Sequence, residues 1–423
     1  MKLSAKILNT RILQIAAISS ALVGAFGCNS ESFDYAATPT PAPTATATPV
    51  PTATPVNTRA EIFVGGPFST YAGVALPGLG AFLTNGTQDP SFSVTGSGLN
   101  NMVRWITPMG NQVLVSGYFT SYNGNTAANY IARFNPDGSL DTTFATTGTG
   151  FNGTIVTTAL DSNGKILVGG SFTSYNGTPA EHLARLNADG SLDTTFVMAG
   201  TGLNYQVNTV VTDSSNRILI GGYFMVYNGT TTYFMTRLNS DGSLDLTFNE
   251  GIAFDNEVQQ ILVTSSGKIM LVGEFGHYNG VSAVGVTRLN SDGTLDTTFN
   301  NGGAGVNAAV WKMALDSSGR VIIGGDFTTY DGVAVGHVAR LNTDGSLDTT
   351  FITGSGLNGS PYAVTVQSDG KLLIGGGFGT YNGATAVNLV RLNTDGSMDT
   401  TFATPASAFN NAVYRIVVLN VPL

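Results

Sequence analysis

An all-β fold, and within that class a seven-bladed β-propeller of four-stranded antiparallel blades, is what this sequence predicts. Three observations carry the prediction. A twelve-residue phrase, Arg185-Leu-Asn-Ala-Asp-Gly-Ser-Leu-Asp-Thr-Thr-Phe196, recurs from Arg133, Arg237, Arg288, Arg340 and Arg391, at steps of 52, 52, 51, 52 and 51 residues. A second phrase, Gly-x-Phe-x-x-Tyr, occurs seven times, beginning at Gly66, Gly117, Gly170, Gly222, Gly273, Gly325 and Gly376. The two ends of the array are ragged in a complementary way. A period of this size means one supersecondary unit per copy, stacked on its neighbours.

Residues 207–248 show the unit. Val207 to Thr212 is a short β-rich run, and Asp213 to Asn216 is turn chemistry. Arg217 to Gly222 reads as a second strand, leading through Phe224 and Tyr227 to the turn pair Asn228-Gly229. Tyr233 to Asn239 is a third strand and Leu244 to Phe248 a short fourth, joined by Asp241-Gly242. Asp-Gly tolerates the positive φ angles of a tight hairpin. Four antiparallel strands in about fifty residues match the size of a propeller blade.

The third-plus-fourth-strand hairpins end at Phe92, Phe144, Phe196, Phe248, Phe299, Phe351 and Phe402, giving the same count of seven. The first copy is degenerate, with Ala81 in place of Arg. The array begins at a second strand, Glu61 to Gly66, and ends after a first strand, Ala412 to Leu419. Pairing these two ends completes a blade and removes an unpaired sheet edge, which would otherwise invite aggregation. The expectation is therefore a closed ring, not an open solenoid.

Composition agrees. Charged residues are 11% of the chain and Gly numbers 54 of 423, a mix that suits short strands and tight turns. The formal charge of −9 argues against a nucleic-acid surface, which needs clustered Lys and Arg.

Residues 1–27 read as an export signal: Lys2, Lys6 and Arg11 precede a short apolar run, Ile12 to Gly27. The lone cysteine, Cys28, follows directly and has no intramolecular disulfide partner. The stretch Ala25-Phe26-Gly27-Cys28 resembles a relaxed lipobox of bacterial lipoproteins, which implies acylation of Cys28 and anchoring in a membrane. Residues 28–58 carry a Pro/Thr/Ala-rich tract that favours extended polyproline conformations, a semi-rigid tether for a propeller spanning 59–423.

The repeat resembles the delta-60 repeat propeller family, whose copies carry the same Gly-Gly-x-Phe and Arg-Leu-Asn-x-Asp-Gly-Ser-Leu-Asp-x-x-Phe phrases. The resemblance covers residues 59–423. It implies an exported or surface bacterial protein and brings no catalytic residues.

Enzyme signals are poor. No Gly-x-Ser-x-Gly, His-Glu-x-x-His or phosphate-loop motif occurs. His182 and His337 share one repeat position and are set three copies apart, too far to share a metal; His277 stands elsewhere. The Asn187, Asp189 and Asp193 oxygens have a calcium-loop flavour but lack the bidentate acid such a loop needs, so hairpin-turn chemistry is the expectation. Neither a catalytic residue, a metal nor a cofactor is predicted.

The recurring Tyr-Asn-Gly after the second strand is the candidate ligand surface: Tyr122 and Asn123, Tyr175 and Asn176, Tyr227 and Asn228, Tyr278 and Asn279, Tyr330 and Asp331, Tyr381 and Asn382. Aromatic faces beside amide donors and acceptors suit sugars. Gly98-Leu99-Asn100, Gly150-Phe151-Asn152, Gly202-Leu203-Asn204 and Gly356-Leu357-Asn358 share that face. The copies disagree at Phe254 to Glu257, Trp311-Lys312 and Pro361-Tyr362, while Trp105 and Trp311 fall on first strands, which line a propeller's channel.

The expected function is a lipid-anchored, non-catalytic binding scaffold for a protein or glycan at the bacterial cell envelope, monomeric, on the outer membrane or cell surface or facing the periplasm. One alternative is a glycan hydrolase or lyase using Asp255, Glu257 and Glu274 at the channel mouth. Another is a structural envelope component.

Overall fold

The structure, a computed structural model, describes residues 58–422 apart from 94–95, 146–147, 197–200, 249–250, 252, 301 and 403–407. The export signal, Cys28 and the Pro/Thr/Ala tract lie outside the described residues. Every regular element among the described residues is a strand.

In the fourth repeat the inner strand Val207–Thr212 pairs antiparallel with Ile218–Gly222, which pairs with the outer strand Met235–Leu238. Ile218, Leu219 and Ile220 are all buried, because the middle strand has a neighbouring sheet on each face and alternation gives way to a continuous apolar run. The first hairpin closes when Asp213 Oδ1 accepts the Ser215 and Arg217 amides at 2.9 and 3.0 Å. The second closes when Asp241 Oδ1 accepts the Ser243 amide and hydroxyl at 2.9 and 2.7 Å, with Gly242 at φ 93°. These aspartates act as turn builders.

The fourth strand is the shortest of each blade. Leu244 makes a single bridge to Leu238, and the chain then turns because Asp245 Oδ1 captures the Thr247 amide at 2.9 Å. The same bridge recurs as Phe134 with Leu140, Leu186 with Leu192, Leu289 with Leu295, Leu341 with Leu347 and Leu392 with Met398. The other connection, between middle and outer strands, carries a small hairpin such as Val226–Tyr227 with Thr230–Thr231.

Among the described residues the strands form seven three-stranded antiparallel sheets. The apolar core lies between sheets. Leu114 and Ile131 of the second repeat pack with Phe151, Ile155 and Val168 of the third. Ile62 and Val64 of the first pack with Leu373 and Leu389 of the seventh. Each fully buried Leu or Ile contributes about 1.5–3 kcal/mol.

The Gly-Gly pair sets how closely these layers approach. A Cβ on Gly221 would lie 2.8 Å from Val258 Cγ1 of the next repeat, and one on Gly222 would lie 2.3 Å from the Gln206 carbonyl oxygen of its own inner strand. The first glycine therefore admits the neighbouring sheet and the second admits its own ladder partner.

The recurring Arg latches repeats together. Arg185 Nε meets Asp193 Oδ2 at 2.6 Å, its guanidinium lies 4.7 Å over the Phe196 ring, and its Nη1 donates to the Ser240 carbonyl of the following repeat. Arg133 reaches Ala188 in the same way at 2.6 Å, and Arg288 reaches Thr343 at 2.6 Å. Arg, second Asp and Phe of the twelve-residue phrase are thus one structural device.

The first repeat draws on both ends of the chain. Thr58–Gly65 pairs antiparallel with Leu79–Leu83 on one side and with Arg415–Pro422 on the other. Arg415–Pro422 lies in the inner position and sits beside the inner strands Val103–Met109 and Pro361–Val366.

Candidate functional site

Among the described residues six inner strands carry a β-bulge at the same register, the one in Ile155–Leu160 falling between Ile155 and Thr157. Pairing skips one residue between Val103 and Trp105, Val207 and Thr209, Val258 and Gln260, Val310 and Lys312, and Pro361 and Ala363. A bulge leaves one residue without a ladder partner and re-aims its side chain. The skipped residues are Arg104, Val156, Asn208, Gln259, Trp311 and Tyr362, and all but the buried Val156 line one cavity of about 410 Å³. Tyr414, just before the C-terminal inner strand, joins them, with Met102, Tyr118, Gln206, Glu257 and Lys312. The inner strands therefore surround a channel, and the bulges furnish its mouth.

The mouth is aromatic and cationic. Tyr362 and Tyr414 meet edge to face at 5.1 Å, and Arg104 lies 5.4 Å over Tyr414. Deeper, Arg415 lies 3.8 Å and Lys312 5.0 Å over the Trp105 ring. Burial pushes the Lys312 ammonium well below its usual range, and Arg104 and Arg415 push it the same way. Burial alone lowers Arg415 to about 10. Below this layer the channel continues as a cavity of about 480 Å³ walled by Ile106, Pro108, Ala159, Val211, Leu262 and similar apolar or hydroxyl side chains.

The Tyr-Asn-Gly residues behave differently from the expectation. Tyr122, Tyr175, Tyr227, Tyr278, Tyr330 and Tyr381 are 0–5% exposed and offer no ring face to a sugar. They lie inside because the hydroxyl reaches the Asp-Gly turn of the same repeat: Tyr175 donates to Gly190, Tyr278 to Gly293, Tyr330 to Gly345 and Tyr381 to Gly396, each at 2.5 Å. The adjacent side chains are also engaged. Oδ1 of Asn123, Asn176, Asn228, Asp331 and Asn382 accepts the amides of Gly98, Gly150, Gly202, Gly305 and Gly356 at 2.7–3.0 Å. Asn279 fits the pattern through its own amide, which donates to Ala253 at 2.8 Å. All adopt φ between 46° and 51°, a region Asn and Asp tolerate. These residues fasten the segment entering each blade to that blade's turn.

Asn100, Asn152, Asn204 and Asn358 do the complementary job. Asn204 Oδ1, for example, accepts the Met225 and Val226 amides at 2.9 and 3.0 Å. In the fifth repeat the position is Asp255. It keeps the two backbone bonds, to Gly276 and His277, and spends its second oxygen on His277 Nδ1 at 2.7 Å. Burial pushes the Asp255 carboxyl up, but the His277 and Gly276 hydrogen bonds outweigh it and hold the group below its ordinary value.

His277 and Asp255 line a groove of about 580 Å³ with Met225, Tyr233, Phe234 and Phe254. Beside it the fourth repeat exposes large side chains: Tyr205 is 51% exposed, Tyr223 49%, Tyr233 38% and Met225 37%. Tyr205 and Tyr223 meet at 5.7 Å, and Tyr223 and Phe234 at 6.2 Å. Sequence reasoning passed over this patch. Tyr223 stands at the variable second place of Gly-x-Phe-x-x-Tyr, where other copies carry Pro67, Tyr118, Ser171, Glu274, Asp326 and Gly377; the fourth repeat is set apart by adding Tyr205, Met225 and Tyr233 nearby.

The other candidates fall as follows. His182 and His337 sit at φ 66° and 70°, each with Nδ1 3.2 Å from a carbonyl of its own repeat, Gly170 and Gly325. Glu257 lines the mouth and accepts from Asn208 Nδ2 at 2.9 Å. Glu274 is raised above its usual range by burial, then by the charges of Glu257 and Asp326. Of the three acids, Glu257 and Glu274 interact, while Asp255 is committed to His277.

Repeated antiparallel blades whose inner strands wall a channel define a β-propeller repeat protein. Residues 111–144, 162–196, 214–248, 264–299, 317–351 and 367–402 match the DUF5122 β-propeller, a domain of unknown function. The first repeat, which lacks the Arg, falls outside the matched segments. No curated protein matches the chain. Among solved structures, the WD40 β-propeller domain of Doa1 aligns at 16% identity and TM-score 0.45, over 78% of this chain and 96% of that one. A protein of unknown function from Bacteroides caccae aligns at 12% and 0.37, over 85% and 99%. PorZ, a surface component of the type-IX secretion system of Porphyromonas gingivalis, aligns at 12% and 0.40, over 76% and 44%. These are likenesses of fold.

Proposed function

We propose that the chain is a seven-bladed propeller closed by its own C-terminal strand, exported and tethered at a bacterial cell envelope through Cys28, and that it acts as a non-catalytic binding scaffold for a glycan or protein. Closure is supported by the pairing of Thr58–Gly65 with Arg415–Pro422 and by the Arg391 bond to Thr84. Removal of residues 413–423 tests it: the bare edge of Thr58–Gly65 should drive the shortened chain into aggregates on size-exclusion chromatography, and a monodisperse product would sink the ring.

The observation that carries the binding role is the exposed patch of Tyr205, Tyr223, Met225 and Tyr233 beside the His277–Asp255 groove. Contiguous exposed aromatics rimmed by polar groups mark recognition surfaces. The ligand lies in one asymmetric place, not in seven equivalent ones, because the equivalent tyrosines are interior. The purified chain and its Tyr223→Ala and Tyr233→Ala variants should be screened on glycan and envelope-protein arrays. Retention of a ligand by the parent and its loss in both variants is the expected result; equal retention by all three removes the patch from the proposal.

A second reading rests on the raised Glu274 carboxyl beside Glu257. A like-charged pair of this kind is the minimum equipment of a glycan hydrolase. Turnover of an envelope glycan that vanishes in Glu274→Gln would favour it.

A further inference from the structure

From residue 61 onward the chain has fourteen Lys and Arg side chains, and eleven of them have an aspartate within 4.0 Å. The three exceptions are Arg104, Lys312 and Arg415. All three stand in the channel, on the inner strands of three different repeats. Lys312 is 6% exposed.

Every other cation from residue 61 onward is neutralised by the Asp of a repeated phrase, so the exceptions are not a habit of the scaffold. Cations gathered in a water-poor channel repel one another and lose hydration, and the arrangement is costly unless an anion completes it. The aromatic rings supply only part of that compensation: Trp105 lies under Arg415 and Lys312, and Tyr414 under Arg104. Glu257, the one carboxylate among the lining residues of the mouth, is engaged by Asn208 and by Glu274. The same mouth holds a buried donor, Trp311 Nε1, with no hydrogen-bond partner. Burial and mutual repulsion depress Lys312, as expected of a site whose counter-charge arrives from outside.

We propose that the channel mouth is an oxyanion site, in which Arg104 and Lys312, with the Trp311 N–H, bind a carboxylate, sulfate or phosphate group, and Arg415 holds the positive field from below. The cavity of about 410 Å³ has room for such a group on a monosaccharide-sized body, against Tyr118, Tyr362 and Tyr414. This site is separate from the aromatic groove of the fourth repeat and stands or falls independently of it.

The test uses a convenience of the sequence. The chain has two tryptophans, and both Trp105 and Trp311 line the channel. Intrinsic fluorescence of the full chain should be titrated with inorganic phosphate, sodium glucuronate and, as a neutral control, glucose. Saturable quenching or a wavelength shift is expected with phosphate or glucuronate and not with glucose. Phosphate alone points to a free inorganic ion, and tighter binding of glucuronate to an acidic sugar; both support the site. Lys312→Met and Arg104→Gln should each weaken binding at least about tenfold, the loss of a charged hydrogen bond. Thermal melts confirm that each variant is folded, and having two variants guards against one that is not. No saturable response to either anion, an equal response to glucose, or unchanged affinity in both folded variants overturns the proposal.

Discussion

Arg391 donates through Nη1 to the main-chain carbonyl of Thr84, a residue 307 positions earlier in the chain. Its counterparts all reach forward: Arg185 to Ser240, Arg237 to Ser291 and Arg340 to Thr394. The latch therefore joins each repeat from the second onward to the one after it, and the last Arg-bearing repeat to the first; only the first repeat, with Ala81, offers no latch of its own. Arg237 is the most buried, with Nε 2.8 Å from Asp245 and its guanidinium 4.4 Å over Phe248. Arg237→Ala should cost about 3 kcal/mol in urea unfolding, because it leaves the buried Asp245 carboxylate with Arg217 at 3.8 Å as its remaining cation. Arg391→Ala should cost less, since Lys371 still meets Asp399 at 2.7 Å. Its signature is local: hydrogen exchange should quicken in Thr58–Gly65 and Arg415–Pro422, and Arg237→Ala should leave that pair of strands protected.

Two glycines seven positions apart separate crowding from backbone strain. Gly222→Ala forces a Cβ to within 2.3 Å of the Gln206 carbonyl and should destabilise by about 3 kcal/mol. Gly229 has open space but φ +82°, so Gly229→Ala should cost only about 1–2 kcal/mol. Chemical denaturation of both variants reads the difference, and a reversed order would refute this account of the Gly-Gly pair.

Acid should unfold the propeller through its latches. Burial pushes Asp348 up, yet hydrogen bonds from Thr350 and Arg340 outweigh it and hold the carboxyl at about 2. Asp141, Asp193, Asp245, Asp296 and Asp399 are lowered in the same way. A carboxyl lowered on folding stabilises above its unfolded value near 3.8 and loses that contribution as pH falls towards the folded value. Stability should thus be level above about pH 5 and fall between about pH 4 and pH 2. Circular dichroism against pH follows the loss, and Asp348→Asn should soften its slope.

Tyrosines inside and outside the blade should part cleanly. Tyr227→Phe removes a buried hydroxyl that donates to Gly242 and should cost about 1 kcal/mol without touching ligand retention. Tyr223→Ala, at a half-exposed ring, should leave the melting temperature within about 2 °C and abolish retention. Measuring both properties on both variants decides which set of tyrosines belongs to recognition.

Much of the scaffold was legible because its causes are local. Asp241-Gly242 announces its hairpin, Gly221-Gly222 its close packing, and the 51–52-residue step its stacking. The fourth strand was overdrawn, since nothing in the letters Leu244 to Phe248 says that the Asp245 side chain will turn the chain after one bridge. Tyr227 was misplaced for a related reason: a turn sequence reads as surface, but a phenol is long enough to run back into the blade. The channel was half legible. Trp311-Lys312 and Pro361-Tyr362 stood out as disagreements between copies and do converge there, whereas Arg104, Tyr414 and Arg415 were missed. They become visible only when the copies are aligned on the bulge and the column is read downward.

That bulge separates two kinds of inheritance within one repeat. The residue it expels has no ladder partner, so its identity is free of the pairing constraint that its strand neighbours carry. The expelled places spell Arg104, Val156, Asn208, Gln259, Trp311 and Tyr362, and Tyr414 stands just before the C-terminal inner strand. Five copies thereby hold one unpaired letter each that faces the same small volume, so the lining of the channel mouth can be respelled while the alphabet of the scaffold stays untouched.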